Sequence, residues 1–319
     1  MKVLITGGAG FIGSHTADRL LKEGYEVRIL DSFEQPVHHE SKIPKYLDDR
    51  IQIINGDVTN EKHLEAALDG VDIVYHFAAF QDYLPLFSKF VEFNVTSKGD
   101  WEVKSSDGRS IFLATTPETV SNPQNPYGMS KISEEMFALQ LGKRYKIPTV
   151  AMRYSIVQGS RQSFYNAYSG ACRVFCLAFS QGKEPQIYED GQQVRDFVNI
   201  HDVVDANLLV LNDERADYEM FNVGGGKAIT VSEFASACAE VFGVKNYQPK
   251  PCGKYRFGDT RHICSDISKL EKLGWKPTRT IYDSIKEYKG WLSQAPSLDN
   301  IIEECNEKMK KLNVLRDYS

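Results

Sequence analysis

The amino-acid sequence predicts an α/β protein, a doubly wound parallel sheet joined to a smaller, mixed α/β domain. Three observations carry that prediction. The chain opens on a short apolar run, Val3–Ile5, that breaks into a glycine-rich turn and then into an apolar-periodic segment beginning Phe11-Ile12. Through the first half, short apolar runs alternate with helical periodicity, the pattern of a parallel sheet with helices on both faces. Gly7–Gly13, Asp31, Asp57 and Ala78 all fall where those runs end. In such sheets ligands sit beyond the carboxyl ends of the strands.

The elements follow in order. After the first strand and its helix, Val27–Leu30 forms a second strand ending at Asp31. Ile51–Ile54 is a third, closed by Gly56-Asp57. Asn60 caps a helix through Leu68, with Gly70 as its stop signal. Ile73–Phe77 is the next strand, closed by Ala78-Ala79. A helix over 127–145 leads to a strand at Thr149–Arg153, and another apolar helix covers 170–181. Phe197–Ile200 and Phe221–Val223 are short strands, with a helix at His201–Leu211 between them. Val231–Phe242 and Ile281–Leu292 have helical periodicity. The charged tail, Ile301–Ser319, reads as a solvated surface helix over part of its length. The expected division is a nucleotide-binding domain over 1–155, with a return segment at 197–224, and a substrate-binding domain from 156–196 and 225–319.

The glycine turn carries the chemistry. Gly8, Gly10 and Gly13 fit G-x-G-x-x-G, and Gly7 adds the variant G-x-x-G-x-x-G. One glycine permits the tight turn and another lets a pyrophosphate approach the backbone. The third lets helix pack closely on strand. Free N–H groups and the dipole at the start of the helix then hold the anion. Asp31 stands about twenty residues on, where an acid binds a ribose 2′-OH. It favours NAD over NADP, whose 2′-phosphate it would repel. Together these features predict a Rossmann-type site, against the plain alternative of a glycine turn and a solvated aspartate.

Composition bounds the rest. At 319 residues, 42% hydrophobic and 25% charged, the chain is ordinary for a globular protein of one large or two modest domains. A net charge of -5, without a long basic run, gives no support to nucleic-acid binding. No segment reads as a signal peptide or as a membrane span. The six cysteines are scattered with no C-x-x-C pair, so no metal site is expected and reduced thiols in the cytoplasm are the plain reading.

Tyr127 and Lys131 supply a candidate catalytic pair. Four apart on a helix, they share a face. An ammonium beside a phenol stabilises the phenolate and lowers its pKa, so the tyrosine could take a proton from an alcohol. The alternative is an exposed helical Tyr and Lys.

The segments TGGAGFIG at Thr6–Gly13, Gly56-Asp57-Val58, His76-Phe77-Ala78-Ala79, Asn94-Val95, Tyr127–Lys131 and Arg195-Asp196-Phe197-Val198 occur in that order. From Met1 to about Pro277 the chain resembles the extended short-chain dehydrogenase/reductase family, in its branch of NAD-dependent nucleotide-sugar epimerases and dehydratases. The resemblance implies that Gly7, Gly10, Phe11, Ile12 and Gly13 hold the pyrophosphate and Asp31 the adenosine ribose. It implies that Asp57 and Val58 meet the adenine and that Ala78 and Ala79 line the cofactor. Tyr127 would be the acid/base and Lys131 would bind the nicotinamide ribose. Arg195, Arg256 and Asp259 resemble positions that contact the diphosphate and ribose of a nucleotide sugar. Arginine suits that task because its fork matches a diphosphate's oxygens. The family also suggests a homodimer through a helix pair.

Two departures matter. The family carries a strand ending in Ser-Ser or Ser-Thr, followed by Tyr-Gly, between the Asn94 and Tyr127 positions. Here that stretch holds Ser105-Ser106 without an apolar strand before it, and Ile111–Ala114 followed by Thr115-Thr116. Thr115 or Thr116 is the candidate hydroxyl, with an exposed loop as the alternative. A missing segment, a natural deletion that still binds NAD, and a shortened active site are all open. The second departure is Ser155, where the family usually has asparagine. The segment Ser163–Cys172 is expected to face the sugar.

The sequence thus reads as a nucleotide-sugar 4-epimerase acting on a UDP- or TDP-hexose, inverting C4 through a transient 4-keto sugar. A dehydrogenase, reductase or dehydratase, and a non-catalytic NAD-binding protein, are the alternatives. The lack of an Asp-Glu pair beside a candidate catalytic threonine counts against the dehydratase.

Overall fold

The computed structural model describes residues 1–38, 42–79, 94–95, 101–102, 126–166, 170–256, 259, 261–295, 298 and 300–317. Its contacts define two compact units, Met1–Asp82 with Ser160–Asn166, and Tyr83–Gly159 with Ala167–Ser319.

In the first unit, β1 (Lys2–Thr6), β2 (Glu26–Asp31), β3 (Gln52–Asn55) and β4 (Ile73–His76) form a wholly parallel sheet in the order β3-β2-β1-β4. Helices α1 (Phe11–Lys22) and α2 (Glu61–Leu68) connect its strands. Alternation along the strands divides the side chains between two faces. Leu4 and Leu30 are buried with Ala67 of α2 and packed by Ile54, Val58, Leu64 and Val71. Arg28, on that same face, is buried, and donates to the Ala67 and Asp69 carbonyls at 2.7 Å each. A cation there satisfies carbonyls that the end of α2 leaves open. At the other end of α2 the Asn60 side chain accepts from the Lys62 and His63 N–H groups, the expected cap.

In the second unit, β5 (Asn94–Val95) and β6 (Trp101–Glu102) pair antiparallel. The twenty-residue α3 (Pro126–Tyr145) precedes β7 (Ala151–Tyr154) and β8 (Ile156–Gln158). Then follow α4 (Ala171–Ser180), β9 (Val194–Asn199), α5 (Ile200–Leu211) and β10 (Met220–Val223). Next come β11 (Ala228–Thr230), α6 (Val231–Phe242), β12 (Lys254–Arg256), α7 (Ser268–Glu271) and α8 (Ile281–Leu292). Strand β7 pairs parallel with β10, and β9 pairs parallel with β8 and antiparallel with β11. The core between α4, α6 and β9 is aromatic, with Phe234 stacked on Phe197 at 4.2 Å and tilted against Phe175 at 6.3 Å.

The tail differs from the expected solvated helix. Helix α9 (Ile301–Lys311) buries Ile301, Cys305 and Met309 along one face. Strand β13 (Leu315–Asp317) then pairs antiparallel with β12. The many charges of this segment hid a narrow apolar stripe at helical spacing.

Candidate active site

The first unit builds a dinucleotide cradle from backbone. Gly7 adopts φ +66°, which favours glycine, and donates to Leu30 O at 2.9 Å. A Cβ there would stand 2.7 Å from Ala78 N. On Gly13 it would stand 2.5 Å from Gly7 O and 2.6 Å from Gly8 Cα. Turn, helix and strand end therefore meet with no room for a side chain. Gly10 is more open and begins α1 with no side-chain cap, and no acid stands in the first turn. The earliest bond inside the helix is Ser14 N–H to Gly10 O, 3.0 Å. The N–H groups of Phe11, Ile12 and Gly13 thus precede the helical ladder, a site suited to a pyrophosphate. This cradle of backbone fits the cofactor expected of it.

Asp31 closes the strand beside the turn and is buried. Its Oδ2 accepts from Ala9 N–H at 3.0 Å and its Oδ1 from Phe33 N–H at 2.9 Å. Each oxygen keeps acceptor capacity for a ribose hydroxyl. Asp57 is exposed, and its carboxylate accepts from Thr59 N–H at 2.8 Å, which holds its pKa below the usual range. Val58 packs into the cluster under α2. Ala78 lies against Gly7, and its N–H approaches Thr6 Oγ1 at 3.4 Å, while Ala79 is exposed. All of these stand beyond the carboxyl ends of β1 to β4. Sequence reasoning missed two neighbours, Tyr46 and Arg161, and expected a third, Ser163, to face the sugar. Tyr46 donates to Ala9 O at 2.7 Å, Arg161 lies over the Tyr46 ring at 4.8 Å, and Ser163 donates to Pro36 O at 2.7 Å. None sits in a glycine motif, so only chain folding reveals these contacts.

The second unit holds the candidate acid/base and the candidate substrate groups. Tyr127 and Lys131 are half-buried in the first turns of α3, spaced to share one face. Lys131 Nζ donates to Glu134 Oε2 at 2.8 Å. Glu135, on the same helix, takes Arg153 of β7 in a two-pronged pair, Nε to Oε2 at 2.7 Å and Nη2 to Oε1 at 2.8 Å. That fork fixes α3 against β7.

Arg195 opens onto the other cluster. Its Nη1 donates to the carbonyls of Val194 at 2.9 Å and Arg261 at 2.7 Å, while Nη2 stands 4.0 Å from Asp259 Oδ2. Asp259 N–H approaches Arg256 O at 3.4 Å, and the Arg256 guanidinium lies over the Tyr188 ring at 5.1 Å. The fold brings all three predicted substrate residues into one neighbourhood. Arg261, missed from sequence, anchors it. It is buried and paired with Glu189 at 2.5 Å and Asp190 at 2.6 Å. Ser155 donates to Asp196 O at 2.8 Å and so ties β7 toward β9.

The chain matches the NAD dependent epimerase/dehydratase family over residues 3–89 and 106–224. It belongs to that family. The family member is 31% identical to UDP-arabinose 4-epimerase 1 of Arabidopsis thaliana, over 87% of this chain and 76% of that one. In structure it resembles the UDP-glucose 4-epimerase of Thermotoga maritima, solved with UDP-glucose. The TM-score is 0.75 at 27% identity, covering 92% of this chain and 99% of the other. It also resembles the UDP-glucuronic acid 4-epimerase of Bacillus cereus, solved with UDP-glucuronic acid and NAD. There the TM-score is 0.71 at 26% identity, with 92% and 99% covered.

For this epimerase/dehydratase-family chain, Ser105, Ser106, Ile111–Ala114, Thr115 and Thr116 lie outside the described residues, as does part of Ser163–Cys172. All six cysteines are free. Among the described residues no group of three potential ligands gathers for a metal, and no helix is long and apolar enough to cross a membrane.

Proposed function

We propose that this chain is an NAD-dependent nucleotide-sugar 4-epimerase acting on a UDP-hexose or a near relative of one. The observation that carries this reading is the likeness to 4-epimerases across nine-tenths of the chain, in sequence and in structure. Bound NAD supplies a hydride acceptor and donor for C4. The chain's own residues do the rest. The N–H groups that open α1 hold the pyrophosphate and Asp31 holds the adenosine ribose. Val58, Asp57, Ala78 and Ala79 border the cofactor. Tyr127 takes the proton of the C4 hydroxyl and later returns it. Lys131, on the same helical face, binds the nicotinamide ribose. Arg195, Arg256 and Asp259 hold the nucleotide diphosphate and its ribose.

In this reading, residues 1–155 with 197–224 form the NAD-binding domain, and 156–196 with 225–319 the substrate domain. The protein works as a homodimer in the cytoplasm, a location its free cysteines suit. The test is C4 inversion followed by NMR, with UDP-galactose and then TDP-6-deoxyhexoses, and no NAD added. Inversion is expected. Stoichiometric NADH in place of inversion would mean a dehydrogenase. Retained NAD without turnover would mean a non-catalytic protein.

A further inference from the structure

Beside Asp31 stands a buried group that the reading above does not use. His38 is 6% exposed in its side chain, and its Nε2 lies 3.7 Å from Asp31 Oδ1. That nitrogen has no hydrogen-bond partner among the described residues. A buried polar atom left unpaired is costly, so such an atom calls for an occupant. The imidazole is held in place. Its ring tilts against Phe33 at 5.4 Å, and His38 N–H donates to Glu34 O at 3.0 Å. The neighbouring Val37 side chain is 3.9 Å from where a Gly10 Cβ would stand, so this loop lies over the glycine turn.

We propose that His38 is a second ribose-binding residue, and that His38 and Asp31 together bind one hydroxyl of the adenosine ribose. The proposal rests on Asp31 being the ribose acid. An Nε2 lone pair facing a carboxylate would be repelled, so the Nε2–H tautomer faces Oδ1. The 3.7 Å gap then presents a donor beside an acceptor. A hydroxyl is the group that satisfies both at once, accepting from Nε2–H and donating to Oδ1.

The test measures the affinity of the full chain for NAD and for its 2′-deoxy- and 3′-deoxyadenosine analogues by calorimetry. The variants are His38→Phe, which keeps a ring on Phe33, and His38→Gln, which keeps an N–H donor. His38→Phe is expected to weaken NAD about tenfold, with His38→Gln recovering part of the loss. That penalty should vanish for the analogue that lacks the bridging hydroxyl. An equal penalty on all three ligands would make His38 a packing residue, and no penalty at all would remove its role. Asp31→Ala separates the two claims. If Asp31→Ala weakens NAD while His38→Phe does not, only the His38 assignment falls. If Asp31→Ala changes nothing, the ribose site itself is wrong and the proposal goes with it.

Discussion

In the proposed reaction Tyr127 is the acid/base, and Lys131 stands four residues on along the same face of α3. Tyr127→Phe should therefore slow C4 inversion by about 10² to 10⁴-fold while leaving bound NAD in place, measured as turnover against NAD content. Lys131→Met should slow the reaction too and weaken NAD binding, since the proposed contact to the nicotinamide ribose is lost. Glycine 13 acts through space alone. A methyl group there meets Gly7 O at 2.5 Å, in a contact that backbone cannot relieve cheaply. Gly13→Ala should cost about 1–3 kcal/mol of stability, read as a fall in Tm, and should weaken NAD binding with it.

Helix termini set the behaviour of the elements. Helix α8 begins with a reciprocal cap. The Thr280 side chain accepts from Asp283 N–H, and the Asp283 carboxylate accepts from Thr280 N–H at 2.8 Å and from its hydroxyl at 2.6 Å. Thr280→Ala should lower stability by about 1 kcal/mol in denaturant unfolding. The hydroxyl's bond holds the Asp283 pKa below the ordinary aspartate value, with the backbone bond as the second cause. A depressed carboxylate stabilises the fold above its unfolded pKa, and that contribution is lost as pH falls through the folded one. Asp283→Asn should thus flatten the decline of Tm below about pH 4. In α3 the Arg153–Glu135 fork matters more, because both groups are largely shielded, 24% and 12% exposed. Glu135→Gln should lower Tm by removing about 2 kcal/mol, less than a fully buried pair would cost. It should also reduce turnover, because α3 carries the proposed acid/base.

At the scale of the whole molecule, the C-terminal segment completes the second unit and supports β12. Residues Ile301, Cys305, Met309, Val314 and Leu315 are all buried, and β13 pairs with the strand that carries Arg256. Truncation after Asn300 should lower Tm and weaken UDP binding more than NAD binding, since the cradle belongs to the other unit. Equal losses of the two affinities would mean that the segment supports the fold generally. Asp202 plays a related part, accepting from Thr278 N–H and Arg279 N–H at 3.1 Å each and pairing with the Arg279 guanidinium at 2.6 Å. It anchors the chain that leads into α8.

The sequence by itself determined the α/β alternation, the cradle and the helix that carries Tyr127 and Lys131. Those features are local. A strand-end glycine turn needs its glycines whatever surrounds it, Asn60 caps α2 from its own side chain, and helical spacing puts residues four apart on one face. The tertiary structure alone decided what long-range contacts decide. Arg195, Arg256 and Asp259 are dispersed along the chain, and only the pairings around β9 and β12 gather them. Arg261, Tyr46 and Arg161 carry no motif, because their partners come from distant segments. The tail read as solvated because its charges outnumber its buried residues, and β13 found its partner sixty residues away in β12. His38 is the sharpest case. It becomes legible only once the loop after β2 folds back and sets an imidazole against the carboxylate of Asp31.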